Sequence, residues 1–116
     1  MKYFDKEERP WGCFYTISQE KEYKIKRIEV NTNSRLSYQY HNHRSEKWFI
    51  IKGKGLVTLE SKEFKCLEGD IISIPKLKKH RIENIGKIKL IFVEIQTGSY
   101  FGEDDIIRLK DDYMRA

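Results

Sequence analysis

From Tyr23 to Thr97 the sequence is a succession of short, strand-length segments separated by turn residues, and few folds accept such a pattern. "YKIKRIEV" (23–30) alternates in part, and "WFIIKGKGLVTLE" (48–60) reads as two strands joined by a glycine-containing turn. "LEGDIISIP" (67–75) passes from a turn into a short apolar strand that stops at a proline. "KHRIENI" (79–85) and "KIKLIFVEIQTG" (87–98) continue at the spacing of an antiparallel barrel or sandwich, so the predicted class is all-β. Only the tail "GEDDIIRLKDDYMRA" (102–116) predicts a short helical segment, with acidic residues at its start and apolar Ile106, Ile107 and Leu109 after them. At 116 residues the chain is expected to form one domain, 1–116, with its barrel core at about 23–97.

Charge removes several classes of function. The formal net charge is +5, but the Lys and Arg residues are dispersed among Asp and Glu, which argues for a solvated basic surface with a preference for anionic ligands and against nucleic acid. Cys13 and Cys66 belong to no metal-type pair, the N-terminal stretch lacks the apolar core of a signal peptide, and runs such as "LIFV" are too short to span a membrane. The expectation is a cytoplasmic protein with reduced thiols and no membrane partner.

"SYQYHNHRSEKW" (37–48) carries unusual chemistry for a strand-like stretch. Side chains alternate along a strand, so Gln39, His41 and His43 would share one face, and Glu46 follows closely. His80 is the only other histidine, placed shortly after Pro75 at the start of another strand. Three histidines confined to two strand edges, one with a carboxylate nearby, point to a divalent metal.

Two segments carry a family resemblance. Asn33 to Gly53 resembles the first cupin motif and Gly69 to Asn84 the second, with Asn33 and Leu77 where the family usually has glycine. Asn tolerates positive φ, whereas Leu77 implies a turn of another shape. "RPWGCFYTI" (9–17), "YKIKRIEV", "LSYQYHNHRSEKWFIIKGKG" (36–55), "IPKLKKHRIENIG" (74–86) and "VEIQTGSYFGEDDIIR" (93–108) extend the likeness to the type II mannose-6-phosphate isomerase domain, in the family's order over nearly the whole chain. That domain is often fused behind a mannose-1-phosphate guanylyltransferase. No phosphate loop of that enzyme is expected here, so only the isomerase half is carried over.

The resemblance implies a single cupin (double-stranded β-helix, jelly-roll barrel) and a metal-dependent aldose–ketose isomerase that interconverts mannose 6-phosphate and fructose 6-phosphate. Counting along the first motif places Gln39 and His41 at its paired ligand positions, giving Gln39, His41, Glu46 and His80. The competing register is His41, His43, Glu46 and His80. Imidazole and carboxylate donors favour Zn²⁺, and an amide oxygen also admits Fe, Mn, Co or Ni.

For a phosphorylated sugar, Arg44 is the first candidate anchor, with Arg35 and Arg81 beside it, although Arg81 lies opposite His80 by parity and could pair with Glu83. Glu94 and Gln96 share one face of a late strand, inward or outward. As the base that moves a proton between C1 and C2, His43 is the first candidate and Glu94 the second. Trp11, Trp48, Tyr38 and Tyr40 read as core or interface residues. A homodimer is expected, with "RPWGCFYTI" pairing against a second subunit's sheet. The alternative function is a cupin that binds a sugar or sugar nucleotide without isomerising it, or one that isomerises or epimerises another sugar.

Overall fold

The computed structural model describes residues 5–115 and consists of eleven strands, with no helix among the described residues. In chain order they are β1 (Asp5–Arg9), β2 (Gly12–Gln19), β3 (Tyr23–Val30), β4 (Tyr38–Tyr40), β5 (Arg44–Lys52), β6 (Gly55–Leu59), β7 (Lys62–Cys66), β8 (Ile71–Ile74), β9 (His80–Asn84), β10 (Leu90–Gly98) and β11 (Ile107–Lys110). One sheet has the order β1-β2-β3-β10-β5-β8 and the other β11-β4-β9-β6-β7, every pairing antiparallel. The all-β expectation holds. Among the described residues, no helix is long and apolar enough to cross a membrane.

Turn chemistry sets several of the reversals. Gly53, between β5 and β6, has φ +95°, and a Cβ there would meet the Lys89 carbonyl oxygen at 2.9 Å, so the close approach of two backbones requires glycine. Asn33 has φ +59°, as its short polar side chain permits. Leu77 departs from the expectation of another turn shape: it takes φ +72° itself, and its N–H donates to the His41 carbonyl at 3.0 Å.

The expected helical tail is a strand. β11 pairs with β4 through Ile107↔Tyr40 and Arg108↔Gln39, closing what would otherwise be an open sheet edge. Ile106 and Ile107 are β-branched, and the acidic residues before them are engaged in tertiary contacts: Glu103 with Lys26, and Asp105 with the backbone at 42–43. The segment 9–17, expected to offer an edge to a second subunit, is covered on both sides, because β2 lies between β1 and β3.

Along the long strands the inward face changes character. On β3 the buried positions are Lys24 and Lys26, then Ile28 and Val30; on β5 they are Arg44 and Glu46, then Trp48 and Ile50; on β10 they are Leu90 and Phe92, then Glu94 and Gln96. Antiparallel register aligns these steps, since Glu94 faces Lys26 on one side and Trp48 on the other, while Gln96 lies between Lys24 and Glu46. The interior therefore has an apolar end, built on Trp48, Ile50, Ile82, Leu90 and Phe92, and a polar end at the opposite ends of the same strands.

Candidate metal centre

His41, Glu46 and His80 each offer a ligand atom, and these atoms lie within 4.8 Å of one another. All three side chains are buried. Glu46 enters from β5 and His80 from the first position of β9, while His41 follows the last residue of β4. His41 Nε2 is 3.2 Å from Glu46 Oε2, and His80 Nε2 is 4.0 Å from Glu46 Oε1. Gln39 pairs directly with His80 across the β4–β9 ladder and lines the same cavity, also buried.

Outer contacts orient the imidazoles. His41 Nδ1 lies 2.8 Å from the Asp105 carbonyl oxygen and His80 Nδ1 2.8 Å from the Lys78 carbonyl oxygen. A carbonyl can only accept, so both Nδ1 atoms carry a proton and both Nε2 atoms are turned toward Glu46. Burial lowers the His80 pKa to about 4, against the attraction of Glu46, keeping that ring neutral. Burial also opposes ionisation of Glu46, but the His41 hydrogen bond and the Arg44 charge outweigh it and hold the carboxyl well below its usual range. Two imidazoles and an ionised carboxylate, each oriented by a neighbour, form a donor set that fits a divalent metal.

The strand-parity argument for His43 fails at the end of β4. Residues 41–43 form a turn, His43 is exposed, and its ring stands edge-on to Tyr100 at 6.0 Å. Its N–H and that of Asn42 donate to the two Asp105 carboxylate oxygens, both at 3.0 Å. His43 thus lies outside the ligand cluster and the cavity lining, which removes the shared face that made it the first candidate base.

Glu94 and Gln96 point inward. Glu94 Oε1 accepts a hydrogen bond from Trp48 Nε1 (3.2 Å) and Oε2 one from Gln96 Nε2 (2.8 Å), while the same indole N–H reaches Glu46 Oε1 at 2.9 Å. Burial, followed by the Glu46 charge, raises the Glu94 pKa to about 8. Arg44 is buried, donates from Nε to Glu46 Oε2 (2.9 Å), and has one terminal nitrogen without a hydrogen-bond partner.

The other expected arginines are engaged elsewhere. Arg81 donates to the Leu36 carbonyl (2.9 Å) and the Lys110 carbonyl (3.2 Å), tying β9 to the segment before β4 and to β11, outside the cavity and with no hydrogen bond to Glu83. Arg35 forms a forked pair with Asp112 at 2.7 and 2.9 Å. Trp11 and Trp48 belong to the core, and Tyr38 and Tyr40 are half-buried. The cavity's cationic wall includes Lys26, which sequence reasoning passed over, although parity with Ile28 and Val30 marks it as inward.

The fold agrees with comparisons to known proteins. A cupin domain of Schizosaccharomyces pombe Cnp3 superposes with a TM-score of 0.72 at 18% identity, covering 74% of this chain and 64% of that one. Lactobacillus farciminis oxalate decarboxylase superposes at 0.79 and 20% identity, over 90% of this chain and 33% of that one. Mannose-1-phosphate guanylyltransferase of Klebsiella pneumoniae is 45% identical over 108 residues, which are 93% of this chain and 23% of that protein. The chain spans less than a quarter of the length of the curated relatives it matches, 22% and 23% in two of them. With residues 1–111 matched by the profile described as "Mannose-6-phosphate isomerase C-terminal", on a cupin barrel whose polar end gathers His41, Glu46 and His80, the chain belongs to that family.

Proposed function

We propose that the protein is a metal-dependent aldose–ketose isomerase acting on mannose 6-phosphate and fructose 6-phosphate. The observation that supports this most directly is the joining, in one cavity, of a buried His–Glu–His cluster, an adjacent carboxylate of raised pKa and buried cations. His41, Glu46 and His80 would hold the metal, with Gln39 beside them as a weaker donor and zinc as the first expectation. When bound, the ion would supply Lewis-acid polarisation of the sugar's carbonyl oxygen.

The remaining chemistry falls to the chain. Isomerisation removes a proton from C2 of the aldose and returns one to C1. Glu94 Oε2 is the site for that proton, because a carboxyl with a pKa near 8 both accepts and releases one around neutral pH. Gln96 and Trp48 fix its orientation from two sides. Arg44, whose Nε donates to Glu46, supplies positive charge where the enediolate oxygens develop. Outside water has little access to this proton, since Glu94, Gln96 and Trp48 are all buried.

The deciding experiment is a coupled assay with mannose 6-phosphate, run on metal-stripped protein and after addition of Zn²⁺, Mn²⁺ or Co²⁺. Metal-dependent production of fructose 6-phosphate is expected, and Glu94→Gln should lower turnover by roughly a hundredfold or more with the metal still bound. No turnover with any of the ions would overturn the isomerase reading and leave a binding protein in its place.

A further inference from the structure

The polar end of the barrel holds more positive charge than its ion pairs use. Lys24, Lys26 and Arg44 are all buried, two from β3 and one from β5, and all converge on a single carboxylate, Glu103. Glu103 Oε2 is 2.7 Å from Lys26 Nζ, but 3.7 Å from Lys24 Nζ and 3.9 Å from an Arg44 terminal nitrogen. Only the first is a hydrogen bond. That Arg44 nitrogen is the buried one with no hydrogen-bond partner, on a side chain 4% exposed. Burial of cations without matching anions is costly, and the strain shows at Lys24, whose pKa is pushed down by burial and by Lys26 despite Glu103.

One carboxylate oxygen cannot reach three cations. A phosphate group can, since it carries up to two charges and three terminal oxygens that accept charge-assisted hydrogen bonds in different directions. We infer that Lys24, Lys26 and Arg44 form the seat of a phosphate monoester, and that the Glu103 carboxylate fills this seat and gives way when the phosphate enters.

The inference rests on the sugar-phosphate reading and assigns the place of its anionic end. Arg44 joins the two halves of the site, with Nε on the ligand Glu46 and a terminal nitrogen toward the seat, so the phosphate and the reacting carbons would lie on either side of one guanidinium. Lys26 is steadied over the Phe14 ring at 4.0 Å. Glu103 belongs to the turn after Phe101, where Asp105 anchors the backbone.

Titration calorimetry of the full chain with inorganic phosphate tests this without any need for turnover. Glu103→Gln should bind phosphate about tenfold more tightly, because the ligand no longer competes with a charge-assisted hydrogen bond, and Lys26→Met about tenfold more weakly. Thermal melts establish that each variant is folded; if Lys26→Met is not, Glu103→Gln decides alone. Phosphate binding that is no tighter in Glu103→Gln, or undiminished in folded Lys26→Met, overturns the inference. A chain that behaves as expected here but fails the coupled assay keeps its phosphate seat and loses the isomerase reading, and the reverse result discards only the seat.

Discussion

Replacing Asp105 by alanine removes two hydrogen bonds to an ionised acceptor, those from the N–H groups of Asn42 and His43, while leaving the main-chain carbonyl that holds His41 Nδ1. Bonds of this kind contribute about 1.5–3 kcal/mol each, and because Asn42 and His43 are exposed their freed N–H groups find water, so the lower figure applies. The loss is then about 3 kcal/mol of unfolding free energy, or roughly 12–15 °C in melting temperature for a domain of this size. The second effect is local. Once the turn at 41–43 is released, the Asp105 carbonyl no longer has a fixed position against the His41 ring, and loss of an orienting partner of this kind weakens metal binding by about 10–100-fold. Melting curves of metal-stripped protein measure the first effect and competition with a chromogenic chelator the second. An Asp105→Ala variant with unchanged metal affinity would show that His41 is oriented by its own strand and not by this loop.

Other outcomes follow from the same geometry. His41→Ala, Glu46→Gln and His80→Ala should each lose bound metal by elemental analysis, Gln39→Ala should weaken it, and His43→Ala should keep it; a His43→Ala protein without metal would restore the competing register. Cys66 is buried and its pKa is raised by burial to about 11, so about one thiol in a thousand is ionised at pH 8 and aromatic disulfide reagents should label it only after unfolding. Rapid labelling of the native protein would contradict that environment. Asp111 accepts hydrogen bonds from the Arg115 side chain and from the N–H groups of Arg115 and Tyr113, which lower its pKa from 3.8 to about 2. A depressed pKa stabilises the fold fully above the ordinary value, and the effect is lost as pH falls through the folded one. The gap in melting temperature between wild type and Asp111→Asn should therefore be constant above about pH 5 and close between pH 4 and 2; a gap independent of pH would remove the charge from the explanation.

The strands were readable because each alternates or ends at a turn residue, and His41, Glu46 and His80 because so few histidines were available. The inward lysines carried the same signal, since Lys24 and Lys26 are in phase with Ile28 and Val30, but the ordinary exposure of lysine argued against reading it. Likewise Glu94 and Gln96 are in phase with Leu90 and Phe92, and only the larger core on that side shows which face is inside. His43 was misplaced for a different reason. Parity holds only while the strand lasts, and the turn that ends β4 is fixed by Asp105, more than sixty residues away in sequence. The tail failed similarly: its helical pattern was local, while the open edge of β4 that turns it into β11 exists only in the folded sheet.

Stability alone gives no reason for the polar end of this barrel. Its inward positions lie on the same strands and in the same register as Ile28, Ile50 and Phe92, so apolar side chains there would continue the core. Each would contribute about 1.5–3 kcal/mol by burial, whereas buried ion pairs often do no better than the hydrophobic residues that could replace them. Lys24, Lys26, Arg44, Glu46, Glu94 and Gln96 forgo that gain together, and buried atoms of Arg44 and Gln96 still lack a hydrogen-bond partner. Groups buried against their own solvation and left partly unsatisfied are what a site needs when its remaining partners arrive with a ligand. The physical case for a binding site at this end of the barrel therefore lies as much in the stability the chain gives up along β3, β5 and β10 as in the three residues that can hold a metal.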